Sequence, residues 1–267
     1  MRILFIGDIV GRSGRKIIEL KLREIVHEHA IDFVIANAEN AAGGSGLTRD
    51  AYASLMKSGV HAITMGDHVY RKSDIVNILE SCNNIVRPAN FPASAPGKSV
   101  AIVETLLGTQ VAILTVLGRT FMRPVDCPFG AVDRVLDSLD PTIRVIVVDM
   151  HAEATSDKQL MARHLDGRVT AVLGTHTHVP TADEQILSGG TAMICDVGMT
   201  GPHESIIGRR VDRVMHTTLH FVPTAFLVAS DDVRLNGALV DCDPTTGRAH
   251  AIRRLRVDLD PLDHAEH

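Results

Sequence analysis

Short apolar runs recur along this chain, and between them lie stretches whose apolar residues return every three or four positions. Residues 2–7 form an aliphatic run ending in Gly-Asp. Over 12–29, Ile17, Ile18, Leu20, Leu22, Ile25 and Val26 follow helical spacing, so the chain opens as strand then helix. Residues 31–36 predict a buried strand, closed by Asn37-Ala38-Glu39-Asn40 and a glycine-rich turn over 41–46. Thr48, with Asp50 two residues on, suits a helix N-cap, and Ser58-Gly59 suits its end. Further strands are predicted over 61–66, 84–87, 143–148 and 169–173, with helices over 73–79, 131–139 and 156–164. The run 143–148 is apolar on both faces, as in a strand covered from both sides.

Residues 100–103 and 110–117, separated by Gly108, read as a hairpin, while 87–97 and 118–129 read as loops. Short strands near 184–187 and 191–196 lead into a glycine-rich loop over 197–202. Strand composition then covers 224–230, 234–241 and 250–257. The order is β/α first and β-rich later, which predicts parallel strands in one sheet and antiparallel strands in a second. No repeat, linker or composition break divides the chain. The expectation is one domain over 1–262, with a frayed tail at 263–267.

At 267 residues and 45% hydrophobic, the chain can bury a large core, and a net charge of −5 excludes the general basic field of a sequence-independent nucleic-acid binder. With 3% aromatic residues and no Trp, stacking platforms of the single-strand-binding type are poorly supported. Cys82, Cys127, Cys195 and Cys242 form no CxxC pair, which argues against a zinc knuckle or a disulfide framework and for the reducing cytoplasm. The first residues run straight into a predicted core strand and no apolar run reaches membrane-spanning length, so a soluble, unprocessed protein is expected.

The chemistry sits where apolar runs stop. Asp8, Glu39 with Asn40, Asp67 with His68, His151, and His176 with His178 each follow a predicted strand. In an open α/β sheet the carboxyl ends of parallel strands line one crevice, so five segments aim ligands at one edge. Were 176–178 extended, the two imidazoles would share one side. This set exceeds what one tetrahedral zinc needs. Two cations ~3.5–4 Å apart are the natural reading, and such pairs serve in-line phosphoryl chemistry. With no thiolate among the donors, iron, manganese, zinc or nickel is preferred and calcium is disfavoured.

Each signal has a blander counterpart. Asp8 alone would serve as a helix N-cap, and His68 or His151 alone as a surface or loop histidine. Gly7, Gly11 and Gly14 do not form GxGxxG, and no GxxxxGK[ST] occurs, so a dinucleotide-dependent enzyme is a weak alternative. Of the other histidines, His203 follows Gly201-Pro202 and is a candidate substrate contact. Arg119 and Arg87 are candidate forks for a phosphate, with a surface ion pair as the slightly better supported reading of each. The basic groups Arg209-Arg210 with Arg213 and Arg253-Arg254 with Arg256 read as solvated faces or subunit contacts, compatible with a homo-oligomer.

The ordered blocks Asp8, Glu39-Asn40, Gly66-Asp67-His68, His151 and Gly174-Thr175-His176-Thr177-His178 resemble the calcineurin-type metallophosphoesterases. More narrowly, residues 5–11, Asn90-Phe91-Pro92, Gly118-Arg119-Thr120-Phe121, residues 151–156 and Asp196-Val197-Gly198-Met199-Thr200-Gly201-Pro202 resemble the YmdB-like branch, over nearly the whole chain. The resemblance implies a four-layer α/β/β/α sandwich with two central mixed sheets. It further implies a di-metal site, of iron or manganese first and with zinc, nickel or magnesium compatible, that hydrolyses phosphodiesters such as 2′,3′-cAMP.

Carried over by position, one metal takes Asp8, Glu39, Asn40 and His178. The other takes Glu39, Asp67, His151 and His176. A hydroxide between them attacks phosphorus, and His68 protonates the leaving ribose oxygen. Two departures stand out: Asp8-Ile9-Val10 lacks the histidine of the family's Asp-x-His block, a gap the YmdB-like branch shares, and Asp67 stands where the wider family has Asn. The carboxylate at 67 is expected to raise metal affinity and to penalise dianionic monoesters relative to monoanionic diesters. A regulatory protein that binds a nucleotide or RNA end at the same site, with little turnover, is the competing reading.

Overall fold

The first half of the chain folds as alternating strands and helices because each apolar run is followed by an amphipathic one. The computed structural model describes residues 1–260; the tail predicted at 263–267 lies outside them. β1 (Arg2–Ile6) leads into α1 (Gly11–Glu28), and β2 (Phe33–Asn37) into α2 (Arg49–Ser58). At α2 the caps are as predicted: Thr48 Oγ1 accepts the Ala51 N–H at 3.3 Å, and Gly59 closes the helix with φ 109°, which favours glycine. β3 (Ala62–Thr64), α3 (Ile75–Ser81) and β4 (Ile85–Val86) follow. The hairpin forms as β5 (Val100–Glu104) and β6 (Gln110–Leu117), paired antiparallel. Next come α4 (Pro128–Ser138), β7 (Val145–His151), α5 (Thr155–His164) and β8 (Ala171–Thr175). β9 (Gln185–Ile186), β10 (Ala192–Ile194), β11 (Gly201–Pro202), α6 (Val211–His220), β12 (Val233–Cys242) and β13 (Ala249–Asp258) complete the order.

Two sheets stack through the inward residues of their strands. The first runs β11-β12-β1-β2-β3-β4 with β13 beside β12, and the second runs β5-β6-β7-β8-β10-β9. Along β1, Ile3 and Phe5 face the second sheet while Leu4 and Ile6 face the helices, the alternation a strand imposes. Along β6, Val111 and Ile113 point inward and Ala112, Leu114 and Val116 outward. Ile17, Ile18 and Leu22 of α1 and Leu55 of α2 cover one outer face; Val132 of α4 and Met161 of α5 cover the other. The result is the four-layer α/β/β/α sandwich.

Three expectations need correction. The parallel and antiparallel strands do not segregate: β1 to β4 are parallel, but β12 joins β1 antiparallel, and the second sheet is likewise mixed. Residues 224–230 form no strand, because their backbone returns along the chain just before α6, with Arg209 bonded to the Phe226 carbonyl and Ala229 N–H to Gly208 O. Within the loop predicted over 197–202, Gly201 and Pro202 pair with β12 as a short strand. The sequence reading also passed over α6, although Val211, Met215 and Leu219 carry helical spacing. Among the described residues no helix is long and apolar enough to cross a membrane.

Candidate metal centre

All the predicted ligands come to one edge, at the carboxyl ends of parallel strands from both sheets. Asp8 lies two residues past β1, Glu39 two past β2 and Asp67 three past β3; His151 ends β7, and His176 follows β8 directly. β1, β2 and β3 are neighbours in one sheet, β7 and β8 in the other, so stacking the sheets closes the crevice. Asp8 is not a helix cap, since Val10 holds the N-cap position of α1 with no side-chain bond.

Glu39, Asp67, His151 and His176 place four ligand atoms within 4.8 Å of one another. His151 Nε2 is 3.4 Å from Glu39 Oε1, 3.3 Å from Asp67 Oδ1 and 3.1 Å from His176 Nδ1. On the other side of Glu39, Asn40 Nδ2 lies 3.3 Å from Glu39 Oε1 and 3.2 Å from His178 Nε2, which is 3.8 Å from Asp8 Oδ1. Asn40 Oδ1 instead meets His68 Nδ1 at 2.8 Å; a half-turn of the amide would exchange its oxygen and nitrogen.

Two features show that the set suits cations. Asp8 is fully buried, and its Oδ1 has no hydrogen-bond partner among the described residues, an arrangement that costs stability unless a positive charge answers it. A Cβ at Gly66 would come within 2.3 Å of both Glu39 Oε2 and His151 Nε2, so only glycine lets the chain pass this close to the donors. The three imidazoles are also turned for ligation. His178 Nδ1 donates to Ile207 O at 2.9 Å, and His176 Nε2 lies 3.3 Å from Glu153 Oε2. His151 Nδ1 donates to Thr175 Oγ1 at 2.8 Å, because that hydroxyl gives its own proton to Asp149 Oδ1 at 2.6 Å. Each outer nitrogen is thereby tied to an acceptor and the inner one is left for a metal.

The protonation states reflect the crowding of charge. Burial pushes the Asp8 carboxyl up to about 6, against the pull of His178 and His151. Burial alone would lower His151, but Glu39 and Asp67 hold it well above the usual imidazole value. Burial, aided by the charge of His151, pushes His176 down to about 4. At Asp67 burial opposes ionisation, yet the His151 hydrogen bond holds the carboxyl below its ordinary value. The hydrogen bond to Glu39 raises His68.

A model of the family described as YmdB-like protein matches residues 4–255. The chain belongs to the YmdB-like family. It is 42% identical over 262 residues, 98% of this chain and 99% of the relative, to the 2′,3′-cyclic-nucleotide 2′-phosphodiesterase of Bacillus subtilis strain 168. A crystal structure of a hypothetical protein from Thermus thermophilus superposes with TM-score 0.91 at 40% identity, covering 97% of this chain and 99% of that one. A novel phosphatase from Mycoplasma pneumoniae superposes with TM-score 0.90 at 32% identity, covering 100% and 97%.

In this YmdB-like chain the histidine pair is not extended. His176 and His178 have φ of 95° and 67°, a strained left-handed backbone beyond the end of β8, so a turn and not a strand's alternation aims the two rings. Asp196 holds that turn: its Oδ2 accepts Thr177 N at 3.1 Å and Thr177 Oγ1 at 2.8 Å, and Lys158 Nζ lies 2.7 Å from the same oxygen. Behind His151, Asp149 also accepts Thr64 Oγ1 at 2.5 Å and Asn37 Nδ2 at 3.0 Å. Sequence reasoning missed Lys158 and Asp149, and named Glu153 and Asp196 within family blocks without giving either a role. The available signal was a set of polar residues interrupting apolar strands at 37, 149 and 175.

The remaining candidates are held by groups outside the donor set. Arg119 is exposed on the loop after β6, its N–H held by Asp157 Oδ2 at 3.0 Å. His203 spends Nδ1 on Gly201 O at 2.9 Å and places Nε2 3.0 Å from Asn236 Nδ2. Arg87 is buried and bonded to the carbonyls of Ala95 and Pro88, so it fixes the 87–97 loop and is neither a phosphate fork nor a surface ion pair.

Proposed function

We propose that the chain is a di-metal phosphodiesterase acting on small phosphodiesters such as 2′,3′-cyclic nucleotides. The observation that carries this reading is the position of Glu39 Oε1, buried between the Asp67–His151–His176 donors and the Asn40–His178–Asp8 donors. One set would be Asp8, Glu39, Asn40 and His178; the other Glu39, Asp67, His151 and His176. When bound, two cations supply charge for the phosphoryl oxygens and an activated water. Iron or manganese suits the nitrogen and oxygen donors, with zinc, nickel or magnesium also compatible.

His68 is the general acid. Its Nδ1 lies 3.2 Å from Glu39 Oε1, a partner that remains when the Asn40 amide turns its oxygen toward the donor set, whereas Nε2, 3.9 Å from Asp67 Oδ2, is beyond hydrogen-bond reach of that carboxylate. That nitrogen can give its proton to a leaving ribose oxygen. Asp67 adds a negative charge beside the phosphate and disfavours dianionic monoesters. Arg119 and His203 are substrate contacts in this proposal, the first by its exposed guanidinium, the second once its bond to Asn236 is released.

The test is hydrolysis of bis-p-nitrophenyl phosphate and 2′,3′-cAMP with added manganese, in the wild type and in His68→Ala. Turnover lost from His68→Ala with metal content unchanged supports the assignment. Turnover indifferent to His68 sinks it, and 2′,3′-cAMP binding without turnover in the wild type would favour a regulatory role. Metal analysis of protein purified without a chelating resin identifies the cations.

The proposal extends to context. Residues 1–262 act as one domain in the reducing cytoplasm, which four free cysteines support. The chain forms a homo-oligomer, supported by α6, none of whose ten residues is buried and whose Val211, Met215 and Leu219 make an exposed apolar stripe. Light scattering on the purified protein checks this; a monomer at working concentration would overturn it.

A further inference from the structure

We propose that the cavity beside the His68 turn is a nucleobase subsite, formed by Tyr70, Phe91, Pro92, Arg123 and Asp126. The inference rests on the phosphodiesterase reading and names the part of the substrate that the metal centre leaves unrecognised. The cavity measures about 690 Å³ and combines apolar walls with one cation and one carboxylate. Tyr70 and Phe91 have ring centroids 6.1 Å apart at 36°, and the Arg123 guanidinium stands 6.0 Å from the Phe91 centroid.

Both walls are anchored to elements that carry the site. Tyr70 is two residues beyond His68 in the same turn, so their Cα atoms lie within about 7 Å. The Phe91 wall is tied to the strand beside His151: Asn90 Nδ2 donates to Leu117 O at 2.9 Å, Leu117 N–H donates to Asn90 Oδ1 at 2.9 Å, and Leu117 pairs with His151 across β6 and β7. The third wall joins the same asparagine, through Asn90 Nδ2 to Asp126 O at 3.1 Å. The cavity and the donor set are thus carried by the same turn and the same pair of strands.

The groups match a flat heteroaromatic ring bearing polar edges. Phe91 is 7% exposed and backs the cavity, while Tyr70, 36% exposed, offers a ring face for stacking. Tyr70 is fixed there by its hydroxyl, which donates to Pro96 O at 2.7 Å. Arg123 can lie over the far face of a base or donate to its ring nitrogens, and the Asp126 carboxylate can accept from an exocyclic amine. A purine, with the larger face and an amine in reach of Asp126, is the preferred occupant.

The test compares Tyr70→Ala, Tyr70→Phe and Arg123→Ala with the wild type in the full-length, manganese-loaded protein. KM and kcat are read for 2′,3′-cAMP and for ribose 2′,3′-cyclic phosphate, which carries the same diester without a base or any aromatic ring, and calorimetry reads the affinity for 2′,3′-cAMP. The subsite predicts that Tyr70→Ala and Arg123→Ala raise KM and Kd for 2′,3′-cAMP about tenfold, the scale of one lost stack. It also predicts that kcat and ribose 2′,3′-cyclic phosphate hydrolysis stay unchanged and that Tyr70→Phe keeps wild-type values despite losing the Pro96 bond. Equal KM and Kd in all four proteins, or a parallel loss on both substrates, overturns it. If the wild type hydrolyses neither substrate, the phosphodiesterase reading fails by itself, and the calorimetric ratios still decide the subsite.

Discussion

Lys158 Nζ lies 2.7 Å from Asp196 Oδ2, with the two side chains only 2% and 1% exposed, and this ion pair anchors the turn that carries His176 and His178. Asp196 Oδ1 also accepts the Gly198 N–H at 2.8 Å, so one carboxylate ties the histidine turn to the glycine-rich loop.

Removing one member of such a pair leaves a buried charge without compensation. Lys158→Met should destabilise the protein by about 3–5 kcal/mol, measured by urea unfolding. The double variant Lys158→Met with Asp196→Asn should lose less than Lys158→Met alone. Additive losses would mean that the pair is not coupled.

The path from His151 Nδ1 through Thr175 Oγ1 to Asp149 sets which imidazole nitrogen faces Glu39 and Asp67. Thr175→Val should weaken manganese binding about 10–100-fold in a calorimetric titration, and Thr175→Ser should restore it. Unchanged affinity in the valine variant would remove the relay from the account of the site.

Asp8 Oδ1 is the orphan of the centre. Taking its charge away should help the metal-free protein and harm the metal-bound one. In chelator, Asp8→Asn is expected to melt above the wild type, while added manganese should raise the wild-type Tm and leave the variant nearly where it was. A manganese-induced rise as large in the variant as in the wild type would contradict a ligand role for Asp8.

Far from the site, Arg2 grips Asp241 in a two-pronged contact, Nε to Oδ1 at 2.6 Å and Nη2 to Oδ2 at 2.9 Å. The Arg2 hydrogen bond holds the Asp241 carboxyl below its ordinary value. A depressed carboxyl contributes stability that is complete above the unfolded value of about 3.9 and is lost as pH falls through the folded value. Asp241→Asn should therefore lower Tm at pH 7, and the deficit should shrink in acid. A deficit independent of pH would point to lost packing instead of lost charge.

Much of this molecule was readable before folding. Strand ends announced Asp8, Glu39, Asp67 and His151, because an apolar run that stops at a carboxylate or an imidazole has no packing reason to do so. Thr48 and Gly59 bounded their helix by local chemistry alone. Lys158 was not readable as buried: a lysine on a polar helix looks solvent-facing until an aspartate 38 residues away is folded beneath it. Asp149 was visible as a polar interruption of an apolar run, but the hydroxyls it accepts from, Thr64 and Thr175, come from other strands.

The sequence by itself determined the alternation of elements, the inventory of donors and the edge at which they gather, since these follow from periodicity and from residues a few positions apart. Tertiary structure alone decided how the donor side chains are aimed. The left-handed turn at His176 and His178, the Glu39 oxygen shared by two groups of ligands, and the hydrogen bonds that turn each imidazole inward all depend on residues far apart in the chain. Side-chain direction at a site is set by the partners that fold around it, and the two stacked sheets supply those partners.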